Sequence, residues 1–436
     1  MGEESGRDVA DAQPEGENLR EDYVTRAEAI ALLGVKADTL YSYVSRSLIR
    51  RLRHPDHRHS LYSRADIERV RARSDARRPE GAVAAGAILY GGEPVIETSI
   101  TEITQVGPLY RGHSAVELAQ QGVPFEAVAE LLWSGALSHE LRTWGFDPPG
   151  AAFYRLAAAL TELAAGADIH ELFSIITVGL GISRGSLVQR TARGGADTSQ
   201  GRQLVQILTG CFGFLSSGKA FRPFQDGETI ATAMARSLGM EPTEQVLRIL
   251  NAALVLSADH ELSPATFTAR IVASGAADIH SCVAAAISTH SGMRIARACD
   301  HLEEIFLNAE TLSQLVEDLL PHGSSHLSVP GFNHPIYPRG DPRARCLLQI
   351  IQENASPSAQ LTRIYEFLDR AARQYKIYPR IEMAIVVMVA ALHLPARSAA
   401  GIYTVGRTVG WLAHIIEQQM TGYLIRPRAK FIDTAS

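Results

Sequence analysis

Histidine, arginine and carboxylate side chains are concentrated in a few short stretches of the second half of this chain. The stretch ADHELSPATFTAR carries His260, and PGFNHPIYPRGDPRA carries His334 and Arg343, with Glu382 and Arg407 further on. Arginine forks bind carboxylates in a bidentate manner, while histidine and glutamate transfer protons. Standing alone, the two histidines would more often be core residues, and Arg407 a buried partner for a helix C-terminus.

The cysteines give no sign of a metal site or a disulfide framework. They are far apart, and no Cys-x-x-Cys or Cys/His ligand spacing is present. The four are Cys211, Cys282, Cys299 and Cys346. We therefore expect free thiols, which suit a reducing cytoplasm, no metal and no tightly bound cofactor.

Four phrases resemble the citrate synthase family, in the same order along the chain. They are LYRGHSAVELA (109–119), ADHELSPATFTAR (258–270), PGFNHPIYPRGDPRA (330–344) and VGRTVGWLAHIIEQ (405–418), followed by IRPRA at 425–429. The resemblance runs from about Gly91 to the C-terminus, with Asn333 where the family usually has glycine. It implies an all-α fold class, with large and small helical domains, and a homodimer.

The resemblance also implies an oxaloacetate site. Oxaloacetate carries two carboxylates and a ketone, and Arg343, Arg407 and Arg426 stand at the family's arginine positions. Arg426 would come from the other subunit of a dimer. His334 matches the residue that polarises the ketone, and His260 matches one that helps to hold oxaloacetate.

The positions that would activate acetyl-CoA, or another acyl-CoA, depart from the family pattern. The base is Glu382 instead of aspartate, and Ile295 replaces the histidine that stabilises the enol. Losing one such hydrogen-bond donor typically costs about 10²–10³ in rate. Arg294 or Arg297 could reach in, or contact coenzyme A phosphates instead. The loop expected on the coenzyme A side consists of Val329, Pro330, Gly331 and Phe332.

Hydrophobic periodicity predicts a helical body after a short region of strands. Alternating and β-branched residues over 88–112 favour strands. Beyond Ser114, apolar residues recur at helical spacing. The predicted helical segments are 114–135, 151–166, 170–184, 200–217, 228–238, 243–257, 265–275, 278–291, 300–318, 343–353, 357–374, 380–392 and 400–420.

Residues 21–73 predict a small separate module. Thr25 and Glu28 have capping-box spacing, and an arginine- and histidine-rich stretch has turn residues in its middle. The predicted elements are a helix over 27–33 ended by Gly34, a helix over 39–47 capped by Asp38, a two-stranded wing over 49–62, and a third helix from Ser63 or Asp66 to Arg73.

This module resembles MerR-like winged helix-turn-helix domains, which implies contact with DNA. A recognition helix would present Ser42, Tyr43 and Arg46 outward. The wing arginines that would meet phosphates are Arg50, Arg51, Arg53 and Arg58. The alternative is a dimerisation or protein-docking arm.

Charge and composition agree with such a division of a 436-residue chain. Residues 1–19 carry net charge −5 and residues 20–78 carry +6, within a total of −5. The N-terminus has no apolar signal region, and Ala384–Leu392 is far shorter than the ~20 residues that span a bilayer. We expect a cytoplasmic protein that does not contact membranes. The predicted organisation is a disordered tail (1–20), the module (21–73), a linker (74–87) and the body (88–436), with a large domain of 88–296 and 394–436 and a small domain of 297–393.

Three hypotheses on function follow. The first is a citrate synthase-type acyltransferase of the tricarboxylic acid cycle. It would condense an acyl-CoA with oxaloacetate or a related 2-oxo acid. The second is a DNA-binding regulator that senses those ligands. The third is a non-catalytic subunit that pairs with a related citrate synthase-like chain carrying the intact histidine and aspartate.

Overall fold

The computed structural model describes residues 23–35, 37–45, 49, 51–53, 60–64, 66–67, 70, 88–90, 93–138, 143–164, 167–183, 198–292, 296–319 and 329–426. The chain forms two compact units. One comprises Met1–Val95 with Thr421–Ser436, and the other comprises Ile96–Met420. The predicted tail, linker and division of the body into large and small domains stay predictions.

The first unit combines short helices with a three-stranded antiparallel sheet of order β1–β3–β2. Its elements are β1 Tyr23–Thr25, α1 Arg26–Leu33, α2 Ala37–Ser45, β2 Arg51–Arg53 and β3 Ser60–Ser63. Residues 64, 66, 67 and 70 also have helical backbone. A small core that includes Leu40 and Tyr62 lies between them.

The start of α1 follows from the capping box that the sequence contains. The Thr25 hydroxyl accepts the N–H of Glu28, the Glu28 carboxylate accepts the N–H of Thr25, and Gly34 ends the helix in the left-handed conformation. The prediction for the next helix was wrong at its N-terminus. Because α2 begins at Ala37, Asp38 lies inside the first turn and does not precede the helix.

The aromatic face of α2 also needs correction. Tyr43 is partly buried and packs against the small core, whereas Tyr41 is 41% exposed, with the Arg26 guanidinium 5.1 Å from its ring centroid. The side chain of Ser42, together with Arg46, Arg50 and Arg58, lies outside the described residues.

Two antiparallel groups of strands occupy the region from 88 to 114, as the alternation predicts. β4 Ile88–Tyr90 pairs with β5 Glu93–Val95 in the first unit. In the second unit, β6 Thr101–Thr104, β7 Gly107–Tyr110 and β8 His113–Ser114 form a sheet of order β6–β7–β8.

The second unit is otherwise helical. Its helices are α3 Ala115–Gln120, α4 Phe125–Ser134, α5 Ala151–Leu163, α6 Ile169–Ser183, α7 Thr198–Gly210, α8 Ile230–Ser237, α9 Glu244–Ser257, α10 Pro264–Ser274, α11 Ile279–His290, α12 Ala296–Asn308, α13 Leu312–Leu319, α14 Pro342–Asn354, α15 Ala359–Arg370, α16 Ile381–Ala391 and α17 Ser398–Thr421. A 3₁₀ turn, Cys211–Phe214, follows α7, and a π-helical turn, Ala371–Tyr375, follows α15.

Two predicted helices are each divided in the structure. The segment 114–135 breaks between α3 and α4, where Gly122 has φ +71° and Pro124 precedes the second helix. The segment 300–318 breaks between α12 and α13. Hydrophobic period alone did not show either break, because apolar spacing continues on both sides.

The core of the second unit surrounds α16, every residue of which is buried. A helix that is apolar on all sides belongs inside a large domain. The four cysteines are free and buried. In the described part of the chain, no helix is both long and apolar enough to cross a bilayer.

Candidate active site

Four segments carry the predicted site residues His260, His334, Arg343, Glu382 and Arg407. They are the turn between α9 and α10, the loop 329–341 before α14, the N-terminus of α16 and the middle of α17. Two glycines of α17 let this helix approach the turn between α9 and α10 closely. A Cβ atom at Gly410 would overlap the carboxylate of Asp259, and one at Gly406 would lie 2.7 Å from Cβ of Ser257.

Arg343 is fixed by the residue that caps its own helix. Asp341 caps α14 and accepts hydrogen bonds from Nε and Nη2 of Arg343 at 3.0 and 2.8 Å. The same carboxylate accepts the N–H of Ile381, which ties α14 to the start of α16. Burial alone would raise the pKa of Asp341, but the Arg343 charge outweighs it and lowers the pKa. Nη1 of Arg343 is buried without a hydrogen-bond partner among the described residues.

Arg407 is held in a similar way from the middle of α17. Its Nη2 donates to the hydroxyls of Ser263 and Thr266 at 3.1 and 2.7 Å. Its Nη1 lies 3.3 Å from Oδ1 of Asp259, but no described residue accepts a hydrogen bond from it. Burial would raise the pKa of Asp259, yet the nearby His414 and Arg407 bring it to about 2. Asp259 therefore stays ionised and balances the Arg407 charge.

His260 and His334 lie together, as the resemblance implies. Their ring centroids are 5.0 Å apart, and the Tyr337 ring lies 4.9 Å from His334. The Tyr337 hydroxyl is 3.1 Å from Nε2 of His260, and the backbone N–H of Ile336 donates to Nδ1 of His334 at 3.2 Å.

Both histidines are neutral near pH 7. Burial and the Arg343 charge lower the pKa of His260 well below its ordinary value and that of His334 to about 4. Because Nδ1 of neutral His334 accepts a hydrogen bond, its proton is assigned to Nε2. His334 can therefore donate a hydrogen bond to a ketone oxygen.

Glu382 lies in the first turn of α16 and is paired with a cation that the sequence analysis did not single out. Oε1 of Glu382 accepts a hydrogen bond from Nη2 of Arg380 at 2.6 Å. The Glu382 side chain is only 5% exposed, which excludes the alternative of a surface carboxylate. Its Oε2 is buried and has no partner among the described residues.

Asn333 occupies a backbone conformation that favours glycine. Its φ is +51°, and its side-chain oxygen accepts the N–H of Tyr378 while its own N–H donates to the Tyr378 carbonyl. Asparagine tolerates the left-handed region because its short polar side chain can form local hydrogen bonds. The substitution is therefore compatible with an ordered loop.

The predicted coenzyme A loop is mostly buried. Val329, Gly331 and Phe332 are buried, and Pro330 is exposed. A Cβ atom at Gly331 would lie 2.5 Å from Cδ1 of Leu302, so this glycine allows a close approach. Contact of this loop with coenzyme A stays a prediction.

Tyr403 is a site residue that the sequence analysis missed. Its side chain is 7% exposed, and burial and the charge of Glu382 raise its pKa to about 12. Arg343, Arg407 and Arg380 also act electrostatically on this hydroxyl. Tyr403 lies one helical turn before Arg407, and residues four apart share a helix face. This spacing could have identified Tyr403 from the sequence.

Several predicted positions stay untested. Ile295 and Arg294 lie outside the described residues. Arg297 is 50% exposed, with its Nε 3.8 Å from Oδ2 of Asp168. Arg426 is exposed and belongs to the other unit, and its contribution to a partner subunit stays a prediction. In the described residues, no group of His, Cys, Asp and Glu side chains could hold a metal ion.

The sequence is similar to known proteins over most of this helical unit. Residues 89–428 match the family model of the citrate synthase C-terminal domain. The citrate synthase of Heyndrickxia coagulans is 27% identical over 233 residues, which cover 52% of this chain and 62% of that protein. The 2-methylcitrate synthase of Shewanella oneidensis is 25% identical over 368 residues, which cover 82% and 96%. The chain thus spans less than two thirds of the first of these relatives.

Solved structures agree on the fold. Citrate synthase from Thermotoga maritima is 21% identical with a TM-score of 0.61, over 78% of this chain and 94% of that one. Citrate synthase from Thermoplasma acidophilum, solved as a ternary complex with carboxymethyl coenzyme A and oxaloacetate, is 19% identical with a TM-score of 0.66 and the same coverage. With the family model matching well over half of its length, this chain belongs to the citrate synthase family.

Proposed function

We propose that the second unit binds oxaloacetate, or a related 2-oxo dicarboxylate, and condenses it with an acyl-CoA. The observation that carries this proposal is a set of buried polar atoms that form no hydrogen bond among the described residues: Nη1 of Arg343, Nη1 of Arg407 and Oε2 of Glu382. Buried polar atoms are normally hydrogen-bonded, and an unpaired one costs about 1–3 kcal/mol or more. Two guanidinium nitrogens that form no hydrogen bond among the described residues suit the two carboxylates of such a ligand.

The two histidines fit the ketone of the same ligand. Since His334 is neutral and its proton is assigned to Nε2, it can donate to the ketone oxygen and then supply a proton as a C–C bond forms. His260, hydrogen-bonded to Tyr337, is placed to bind the same ligand. Because Asp341 and Asp259 already balance the two arginines, ligand recognition depends on directed hydrogen bonds as well as on charge.

Glu382 would act as the base. Its Oε2 can take a proton from the carbon next to the thioester carbonyl of an acyl-CoA, which leaves an enolate that attacks the ketone. Carbon–carbon bond formation followed by hydrolysis of the thioester would release coenzyme A. The acyl group is acetyl or a longer chain, and coenzyme A is a substrate and not a resident cofactor.

The variant Glu382→Gln tests the assignment. It keeps the shape of the side chain but cannot accept the proton, so we expect thiol release from acetyl-CoA with oxaloacetate to fall by about 10²–10⁴-fold. Calorimetry should show oxaloacetate binding close to that of the natural chain. Glu366→Gln, which changes an exposed carboxylate, is the matched control and should leave both measurements unchanged. Absence of oxaloacetate binding to the natural chain would contradict the proposal.

A second candidate function concerns the first unit, for which we propose contact with nucleic acid. The supporting observations are the exposed Tyr41 ring with Arg26 above it and the exposed Arg51 on the antiparallel sheet. Aromatic and arginine side chains within the stretch 20–78, whose net charge is +6, suit a polyanion. Binding of duplex DNA that weakens with added salt, measured by fluorescence anisotropy, would support it, and binding that salt does not change would contradict it. Sensing of oxaloacetate and acyl-CoA by the helical body of a DNA-binding regulator, and pairing with a related chain, remain hypotheses.

A further inference from the structure

The proposed reaction needs a hydrogen-bond donor for the enolate oxygen. The resemblance aligns Ile295 with the histidine that has this role in the family, and isoleucine cannot donate a hydrogen bond. Developing negative charge on that oxygen requires a hydrogen-bond donor or a cation held in place before the reaction. Arg380 is a charged group beside the proposed base.

Arg380 is held by contacts on both its backbone and its side chain. Its N–H donates to the carbonyl of Gly331 at 2.8 Å, which ties it to the loop before α14. Its Nη2 lies 2.6 Å from Oε1 of Glu382. The side chain is 26% exposed, so the guanidinium is partly open to a ligand.

The Arg380–Glu382 pair leaves one donor and one acceptor unused. Nε of Arg380 and Oε2 of Glu382 are both buried, and neither has a hydrogen-bond partner among the described residues. An unpaired buried donor next to an unpaired buried acceptor is costly unless a ligand satisfies both. A thioester with an acidic C–H bond offers what the pair lacks, a carbonyl oxygen as acceptor and a proton to transfer.

Arg380 faces the same cluster of side chains as Arg343 and Arg407. Its charge contributes to the low pKa of His260 and of His334, and it acts on the Tyr403 hydroxyl. It therefore lies within electrostatic range of the groups that would hold the 2-oxo acid.

We propose that Arg380 is the catalytic residue that receives the enolate oxygen of the acyl-CoA, in place of the donor absent at Ile295. This role rests on the proposed condensation. Oε2 of Glu382 takes the proton from the α-carbon. The C–H electron pair becomes the new C=C bond, the carbonyl π electrons move to the thioester oxygen, and Arg380 donates a hydrogen bond to that oxygen. The enolate carbon then attacks the ketone carbon, whose oxygen takes a proton from His334.

The ion pair does not disable the base in this arrangement. Pairing with a cation makes a carboxylate a weaker base, because the cation stabilises its charged form. Proton transfer, however, moves the negative charge from Glu382 to an oxygen beside the same guanidinium. The attraction to Arg380 is thus present before and after the step, and the weakening is largely offset.

Two other groups are less suited to the role. Arg297 is half exposed and lies near Asp168. His290 is fully buried, with its ring 5.0 Å from that of Tyr403 and 5.4 Å from that of Trp411, and burial lowers its pKa well below the ordinary value. Its Nε2 has no hydrogen-bond partner among the described residues. The experiment must therefore distinguish His290 from Arg380 as the donor to the enolate oxygen.

The test compares the full natural chain with Arg380→Gln, Arg380→Lys and His290→Leu. We measure kcat for thiol release with oxaloacetate, the Kd for oxaloacetate by calorimetry, and the isotope effect with acetyl-CoA deuterated in its methyl group. For Arg380→Gln we expect kcat to fall by about 100-fold or more. The isotope effect should rise because proton removal becomes slower. Arg380→Lys, which keeps the charge without the fork, should lose less activity than Arg380→Gln.

A surface pair provides the control. Arg373 and Asp369 form an exposed ion pair, with side chains 78% and 57% exposed, so Arg373→Gln should leave kcat, Kd and isotope effect unchanged. Thermal melts establish that each variant folds. If Arg380→Gln does not fold, Arg380→Lys takes its place in the comparison.

The outcomes separate this role from the function on which it rests. If the natural chain turns over and Arg380→Gln keeps its kcat, the role of Arg380 is refuted and the condensation stands. A loss of kcat confined to His290→Leu would likewise overturn it in favour of that imidazole. If the natural chain binds oxaloacetate but releases no thiol, the condensation fails, and the role of Arg380 fails with it.

Discussion

The charged residues of the site are arranged as buried or partly buried ion pairs, each with an atom that forms no hydrogen bond among the described residues. Arg343 pairs with Asp341, Arg407 with Asp259, and Arg380 with Glu382. A buried arginine without a partner would cost several kcal/mol, so pairing is what makes three cations tolerable in one cluster. The Nη1 atoms of Arg343 and Arg407 form no hydrogen bond among the described residues and can donate to a ligand. At the scale of the residue, the site combines a balanced charge with unsatisfied hydrogen bonding.

The protonation state of His334 gives a prediction on pH. Its pKa is about 4 in the folded chain and about 6.5 when unfolded, so the unfolded chain binds more protons between these values. Stability contributed by neutral His334 is therefore present above pH 6.5 and lost as pH falls towards 4. We expect His334→Asn, which does not titrate, to become less unfavourable relative to the natural chain as pH drops from 7 to 4.5. Urea denaturation at the two pH values measures this difference.

Exposed His113 provides the control for that comparison. His113→Asn replaces an exposed imidazole and should change the free energy of unfolding little. A stability difference between His334→Asn and the natural chain that does not vary with pH would show that the imidazole is not held neutral by the fold.

At the scale of elements, close packing of α17 on the turn after α9 places Arg407. Glycine at 406 and 410 removes the side chains that would hold the helix away from Ser257 and Asp259. The N-terminus of α17 is fixed as well, since the buried Glu303 accepts the backbone N–H groups of Arg397 and Ala399 at 2.5 and 2.6 Å. The position of the guanidinium therefore depends on residues that do not contact a ligand.

The variant Gly410→Ala tests this dependence. The added methyl group would overlap the Asp259 carboxylate and the Ala258 carbonyl, so α17 must move. We expect a loss of about 1–3 kcal/mol in the free energy of unfolding. Oxaloacetate affinity should fall by about tenfold or more, which corresponds to ~1.4 kcal/mol. Gly145→Ala, where a Cβ atom meets nothing within 4 Å, should be close to neutral. Unchanged affinity in Gly410→Ala would contradict the packing argument.

At the scale of the whole molecule, the described residues form two hydrophobic cores that share no member. The smaller core extends from Val24 to Val70, and the larger one from Ile100 to Ile415. The cradle residues His260, His334, Arg343 and Arg407 all belong to the unit built on the larger core.

Separate cores predict separable effects of mutation. Leu40 is fully buried in the smaller core, so Leu40→Ala should destabilise the first unit by about 2–5 kcal/mol. Oxaloacetate binding measured by calorimetry should not change, and scanning calorimetry should show one transition shifted to lower temperature. Leu254→Ala, at a fully buried position of the larger core, is the counterpart and should shift the other transition. A shift of both transitions by Leu40→Ala would mean that the units unfold together.

The family, the helical class of the body, the capping box at Thr25 and the residue types around His260, His334, Arg343 and Arg407 could be predicted from the amino-acid sequence. These features depend on residues that are close together in the chain: sequence motifs, the hydrophobic period of helices and helix caps. Only the tertiary structure decided that Asp259 and Asp341 balance the cradle arginines, that Tyr403 joins them, and that Arg380 pairs with Glu382. Pairing and burial arise where distant segments meet, and the energy of a charge depends on that environment more than on its place in the chain.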